Sequence, residues 1–117
     1  MLSESLKATE VECAEGRTAP RVSLADLEAN VLATHSFVAA DAIGALGDSA
    51  HKSLELLSIC LLVTKNGFTL VGKSAPASAA NFDAELGKKL AYEDAIRQLW
   101  PLMGYALRDR LAAQQGD

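Results

Sequence analysis

Aromatic and basic side chains suited to a phosphate-bearing ring compound are concentrated in the second half of the chain. Tyrosine and tryptophan rings stack on flat bases, and lysine and arginine form charge-assisted bonds with phosphate oxygens. The residues of these two kinds that we select as a predicted ligand site are Lys73, Lys88, Tyr92, Arg97, Trp100 and Tyr105. Packing of a helix against a sheet is the alternative explanation for each aromatic residue taken singly, and it stays open at this point.

No arrangement typical of catalysis accompanies these residues. The histidines His35 and His51 lack HxxxH spacing and the two cysteines lack CxxC spacing, so no zinc site is predicted. A Gly-x-Ser-x-Gly motif is absent, and neither cysteine has a histidine nearby in sequence. His35 is interpreted as a surface or helix-end residue, and His51 with Lys52 as part of a loop or as an anion contact. We therefore predict a protein that binds rather than an enzyme, with no cofactor and no metal.

Acidic residues in the C-terminal half also have structural explanations. Asp83 and Glu85 fall in the first turn of a predicted helix, where negative charge is favoured by the helix dipole. Glu93 and Arg97 have the i,i+4 spacing of a helical ion pair. We interpret these carboxylates as structural rather than catalytic.

Composition indicates one domain with its own core. The chain has 117 residues, of which 50% are hydrophobic, and a net charge of −4. Because a duplex-binding protein gathers basic residues on one face, this balance makes nucleic acid an unlikely partner. The start of the chain lacks an apolar segment of signal-peptide length, and the longest apolar run, 59–63, is too short to span a bilayer. We expect a cytoplasmic protein without a membrane partner, and no disulfide between Cys13 and Cys60.

The clearest structural pattern is a β-hairpin. Two apolar segments near 56–65 and 68–73 flank Asn66-Gly67, and both of these residues tolerate the positive φ angles of a two-residue turn. In the register of that turn, Val63 lies opposite Leu70.

Both sides of the predicted hairpin are apolar near its middle, whereas a sheet with one wet face alternates more cleanly. Gly87, inside the following helix, costs about 1 kcal/mol relative to alanine, so a strand, a neighbouring subunit or a ligand is expected to pack close to it. An isolated two-stranded hairpin is also unstable. We therefore predict a homo-oligomer.

Helices are predicted on both sides of the hairpin. Ser23 suits the cap of an N-terminal helix that ends near His35, and the Ala-rich segment 37–46 suits a second short helix. Asn81 or Asp83 caps a C-terminal helix, with the choice left open, and Pro101 separates it from a last helix over about 102–113.

These elements predict an α+β fold with an N-terminal helix, a central antiparallel β-hairpin and two C-terminal helices broken near Pro101. Residues 1–20 are polar and predict a flexible leader, and 21–117 predict a single α+β domain.

Several segments resemble a family of small phage and prophage proteins named after gene product 49 of one enterobacterial phage and gene product 66 of another. The resemblance covers roughly 57–110, and its motifs are Lys-Asn-Gly-Phe-Thr at 65–69, Gly-x-Ser-Ala at 72–75, Asn-Phe-Asp-Ala-Glu-Leu-Gly at 81–87 and Trp-Pro-Leu-x-Gly-Tyr at 100–105. One departure is Met103, where the family pattern often has glutamate.

The resemblance implies a small accessory protein in the cytoplasm of a bacterial host, and such proteins often serve host takeover or evasion of host defence. The leading hypothesis is a homo-oligomeric binder that counters host defence by sequestering a small nucleotide-like signal. The alternative is a protein-binding inhibitor or adaptor that acts on a host protein and needs an exposed apolar patch.

Overall fold

The computed structural model describes residues 4–14 and 19–116, and it contains a three-stranded antiparallel sheet with helices. The helices and strands, in chain order, are α1 (Glu4–Ala14), α2 (Leu24–Ala29), β1 (Val31–Val38), α3 (Ala39–Ala45), β2 (Ser58–Thr64), β3 (Thr69–Ser74) and α4 (Ala84–Gln115). Short 3₁₀ helices lie at Lys52–Leu56 and Ala79–Asn81. The α+β class is confirmed, but the arrangement of its elements differs from the prediction.

Helix α1 lies within the segment predicted as a flexible leader. Leu6 is 3% exposed and belongs to the hydrophobic core, and Glu10 binds Arg21 with an oxygen–nitrogen distance of 2.8 Å. The other oxygen of Glu10 accepts a hydrogen bond from the backbone N–H of Leu24 at 2.9 Å. Residues 1–3 and 15–18 of the predicted leader lie outside the described residues.

The predicted cap of the first core helix is confirmed in α2. Ser23 Oγ accepts a hydrogen bond from the N–H of Asp26 at 3.1 Å, and Asp26 Oδ2 accepts one from the N–H of Ser23 at 2.9 Å. This reciprocal arrangement is a capping box. The helix ends after six residues at Asn30, so the predicted continuation to His35 is wrong.

Strand β1 replaces that predicted continuation. Its sequence contains β-branched and aromatic residues, such as Thr34 and Phe37, that favour a strand. It pairs with β2 antiparallel, with Thr34 opposite Leu62, and it has an irregularity between Val31 and Ala33. The Ala-rich helix predicted over 37–46 is shorter, because β1 takes Phe37 and Val38 and α3 begins at Ala39.

The hairpin of β2 and β3 is confirmed, but its predicted register is wrong by one residue. The loop has three residues rather than two, since the N–H of Thr64 bonds to the carbonyl of Phe68 at 2.9 Å. Gly67 has a φ of 86°, as a type I turn followed by a left-handed residue requires. Val63 therefore lies opposite Thr69, and the one-residue shift moves the side chains of β3 to the opposite faces of the sheet.

Helix α4 is continuous, so the predicted break near Pro101 is wrong. Asp83 caps its start by accepting hydrogen bonds from two N–H groups of the first turn. Proline removes one helical hydrogen bond, but Leu99 before it is 2% exposed and Met103 after it packs against the core. Burial of residues on both sides of Pro101 therefore outweighs the loss of one helical hydrogen bond, and the helix continues.

Close contact between α4 and the sheet depends on two glycines. A Cβ atom at Gly72 would overlap the carbonyl oxygen of Ala91 and would lie 2.7 Å from the backbone nitrogen of Ala95. A Cβ at Gly87 would overlap Ser58 Oγ. The expectation of a close neighbour at Gly87 is therefore confirmed, and that neighbour is strand β2 of the same chain.

The strand alternation divides the sheet into two faces. The face towards α4 carries the buried residues Cys60, Leu62, Thr64, Leu70 and Gly72. The outer face, defined as the face away from α4, carries Phe37, Ile59, Leu61, Val63 and Val71. On the outer face, Leu61 is 38% and Val71 is 55% exposed.

Candidate functional site

An open groove of about 610 Å³ lies between strand β1 and the first half of helix α4. The residues that line this groove, called here the β1–α4 groove, are Thr34, Ser36, Glu85, Leu86, Lys88, Lys89 and Tyr92. The strand contributes hydroxyl groups, and the helix contributes two ammonium groups and a phenol. These groups suit an anionic ligand with a flat ring.

The local secondary structure determines which side chains reach the groove. In a strand, alternate residues point to the same face, so Thr34 and Ser36 both face the side of the sheet on which α4 packs. In a helix, residues three and four apart share a face, so Glu85, Lys88 and Lys89 align with Tyr92. The two-residue period of the strand thus determines one wall of the groove, and the 3.6-residue period of the helix determines the other.

The charge of the groove differs in sign from that of the whole chain. Lys88 and Lys89 are half-buried and positively charged, and Glu85 is exposed and negatively charged. One net positive charge therefore remains in the groove of a chain whose net charge is −4. Two ammonium groups against one carboxylate favour an anion at this place.

Tyr92 forms the half-buried aromatic wall of the groove. Burial raises the pKa of Tyr92 above its ordinary value of 10.0, and the negative charge of Glu28 raises this pKa further. The phenol therefore stays protonated at neutral pH and can donate a hydrogen bond. Burial likewise raises the pKa of the Cys60 thiol, which favours its uncharged form in the core.

The structure brings two of the six predicted ligand residues, Lys88 and Tyr92, into this groove. Lys73 lies on the outer face of the sheet, opposite Ile59. Arg97 is exposed on a part of α4 that does not line the groove. Tyr105 is 73% exposed, also outside the groove.

Trp100, the sixth predicted residue, lies in a separate hollow beside Cys13 and Arg21. Its indole Nε1 donates a hydrogen bond to the carbonyl of Val22 at 3.2 Å, and its ring packs against the core. These contacts give Trp100 a structural role in joining α4 to the segment before α2.

Sequence reasoning missed Thr34 and Ser36. The two hydroxyl residues were missed because β1 was predicted as helix, and its β-branched and aromatic residues were the available signal. Lys89 was not among the six selected residues, although it carries the same charge as the adjacent Lys88, and the structure places both in the groove.

A second hollow, of about 530 Å³, has basic residues but no aromatic wall. Arg21, Lys65 and Arg110 line it together with Asp26 and apolar side chains of α4. The guanidinium of Arg21 already bonds to Glu10. Since none of the described residues that line this hollow is aromatic, a flat ring has no stacking partner among them, and the β1–α4 groove is the better candidate for a nucleotide-like ligand.

Glu93 is a buried carboxyl residue that the fold does not explain. Its side chain is 0% exposed, and within 4–14 and 19–116 neither carboxylate oxygen has a hydrogen-bond partner. The ion pair with Arg97 that the spacing predicted does not form, because Glu93 is buried while Arg97 is exposed.

Over the described part of the chain, no group of three or more His, Cys, Asp or Glu side chains is placed to hold a metal ion. In the same part of the chain, no helix is long and apolar enough to cross a membrane.

Comparison with protein families gives one match. The phage protein (N4 Gp49/phage Sf6 gene 66) family matches residues 22–111, which confirms the resemblance found in the motifs. Comparison with curated proteins and with solved structures finds no match. Since the family match spans more than half of the chain, the chain belongs to this family.

Proposed function

We propose that this member of the N4 Gp49/Sf6 gene 66 family of phage proteins is a non-enzymatic binding protein that sequesters a small nucleotide-like anion in its β1–α4 groove. Removal of a signalling nucleotide from the host would counter host defence. The observation that carries the proposal is the convergence of Lys88, Lys89 and Tyr92 on a groove whose opposite wall has two hydroxyl residues.

Each part of the groove matches one part of such a ligand. An ammonium group forms charge-assisted bonds with phosphate oxygens, and the half-buried positions of Lys88 and Lys89 strengthen these bonds relative to exposed positions. Tyr92 packs against the core on one side, and the part of its ring that lines the groove can contact a base. Stacking on an aromatic ring contributes about 1–3 kcal/mol per base in single-strand binders. Thr34 and Ser36 offer donors and acceptors to a ribose or a base edge.

Calorimetric titration against cyclic nucleotides and ADP-ribose-type nucleotides tests this proposal. We expect heat with at least one of these compounds, and a dissociation constant at least tenfold higher in the double variant Lys88→Gln, Lys89→Gln. Lys73→Gln is the matched control, because it removes one lysine charge from a position outside the groove. The proposal is wrong if every compound gives no heat, or if the control weakens binding as much as the double variant.

The outer face of the sheet favours a second candidate function, in which the protein binds and inhibits a host protein. Leu61 and Val71 are exposed there beside the half-buried Phe37, Ile59 and Val63, and an exposed contiguous apolar patch is typical of a protein interface. Capture of one host protein that is lost in Val71→Glu but retained in the double lysine variant would favour this function over nucleotide binding.

A further inference from the structure

The two edges of the sheet differ in how their backbone groups are satisfied. At the end of β1, the N–H of Ala39 bonds to the carbonyl of Leu57 at 2.8 Å. With the register of the strand pair, this bond shows that from Ala33 onwards the odd-numbered residues direct their backbone N–H and C=O groups towards β2. In an antiparallel ladder the alternate residues direct their N–H and C=O groups away from the partner strand. On β1 these are Thr34, Ser36 and Val38.

The edge at β3 is closed by polar side chains of α4. Asp94 Oδ2 accepts a hydrogen bond from the N–H of Lys73 at 2.9 Å, and Gln98 Nε2 donates one to the carbonyl of Val71 at 2.9 Å. Both backbone groups would otherwise be available to another strand. Helix α4 thus protects one edge of the sheet from strand pairing.

The edge at β1 has no such protection among the residues that the structure describes. Thr34, His35 and Ser36 are all exposed, and no described side chain bonds to the outward backbone groups of Thr34 or Ser36. An unpaired strand edge of this kind is a template for another strand.

We infer that β1 of a second copy pairs antiparallel with this edge, and that the two β1–α4 grooves join into one ligand site to which both copies contribute. This inference rests on the proposed function of the groove. Antiparallel pairing of identical strands creates a two-fold axis at the middle of β1, close to His35. With the axis perpendicular to the sheet, both α4 helices lie on the same face of a continuous six-stranded sheet.

The dimensions of such a dimer suit a small ligand. Helix α4 packs over β2 and β3 through Gly87 and Gly72, so a strand spacing of about 4.8 Å places the two helix axes roughly 19 Å apart. Helices with their side chains are about 10–12 Å wide, which leaves a trough about 8 Å wide. Its floor is the paired β1 strands, with Thr34 and Ser36 of both copies.

The trough indicates the chemistry of its ligand. Each copy supplies Lys88, Lys89 and Tyr92, so four ammonium groups and two phenol rings are related by the two-fold axis. A ligand with two phosphate groups related by the same symmetry, such as a cyclic dinucleotide, satisfies both halves at once. Because the four lysines repel each other in the empty dimer, the ligand is expected to strengthen the dimer.

Sedimentation equilibrium and calorimetry on the full chain, with cyclic di-GMP and cyclic di-AMP as probes, test the inference. We expect a dimer, a lower dimer dissociation constant with at least one probe, and one probe bound per two chains. Thr34→Pro removes an outward N–H that does not bond to β2 and should raise the dimer dissociation constant at least tenfold. His35→Glu, which places like charges at the axis outside the groove, should do the same and remains informative if the proline variant does not fold.

Val71→Glu is the matched control, since Val71 lies in the same row as His35 and Leu61 but at the opposite edge. It should leave the dimer unchanged, and a monomeric Val71→Glu variant would overturn edge pairing in favour of an outer-face dimer. A monomer that binds a probe one to one overturns the shared site but leaves the proposed function intact. A dimer that gives no heat with either probe overturns the claim that the two copies share a cyclic dinucleotide. If the other nucleotides give no heat either, the proposed function is overturned as well.

Discussion

Gly72 packs against the backbone of α4 without room for a side chain, and Gly72→Ala is predicted to destabilise the fold. The added Cβ would overlap the carbonyl oxygen of Ala91 and would lie 2.7 Å from the nitrogen of Ala95, against an ordinary contact of 3.4 Å or more. Both neighbours are backbone atoms, so no side-chain rotation relieves the overlap. Helix α4 must therefore move away from β3 by roughly 0.7 Å or more.

The expected decrease in the free energy of unfolding of Gly72→Ala has two parts. Overpacking of one methyl group in a well-packed core costs about 1–3 kcal/mol, and a rigid backbone neighbour favours the upper part of this range. A displaced helix also strains the hydrogen bonds from Asp94 and Gln98 to the β3 edge, each worth about 0.5–1.5 kcal/mol. We expect the free energy of unfolding to fall by about 2–4 kcal/mol, a large share of the roughly 5–15 kcal/mol of a native domain.

Denaturant unfolding of Gly72→Ala measures this effect, with Gly104→Ala as the control variant. Gly104 lies in α4, and a Cβ built there has no heavy atom within 4 Å. This control should stabilise the protein by about 0.5–1 kcal/mol through helix propensity. If the free energy of unfolding of Gly72→Ala lies within about 0.5 kcal/mol of the wild-type value, the close packing of α4 on β3 is refuted.

Three further predictions concern the turn, α1 and the buried carboxylate. Gly67→Val should lower the free energy of unfolding by about 1–2 kcal/mol, because a β-branched residue resists the positive φ of this turn; unchanged thermal stability would contradict the hairpin. The bond from Arg21 holds the pKa of Glu10 below its ordinary value of 4.5, so the stabilisation by Glu10 is present above pH 4.5 and is lost as the pH falls through the lower folded value. The free energies of unfolding of the wild type and Glu10→Gln should therefore differ at pH 6, and this difference should shrink as the pH is lowered below 4.5; a difference that does not change with pH would argue against the contact. Glu93→Gln should leave the melting temperature unchanged or raise it, since a buried carboxyl group without a hydrogen-bond partner is costly; a lower melting temperature would contradict this cost.

Local signals predicted the fold where a short motif determines a short element. The cap at Ser23 and the turn glycine at Gly67 have the predicted roles, because the required side-chain bond and backbone angle are encoded within three or four residues. Register depends on loop length, and Asn66-Gly67 fits both a two-residue and a three-residue loop, so the wrong alternative was selected.

Elements that depend on distant contacts were not predictable in this way. Strand β1 exists because it pairs with β2, a partner about 25 residues later in the chain that local periodicity does not reveal. Helix α4 crosses Pro101 because the core holds Leu99 and Met103. Lys88 and Tyr92 were selected by their side-chain chemistry and lie on a helix that was predicted, whereas the opposite wall of the groove was missed together with its strand.

Native mass spectrometry of the protein purified from infected bacterial cells tests the central claim most directly, because it reports stoichiometry and any bound small molecule together. The account predicts a dimer that carries one phosphate-bearing small molecule, and a loss of that extra mass in the double variant Lys88→Gln, Lys89→Gln. A monomer without additional mass, or a complex with a host protein that persists in the double variant, would contradict it.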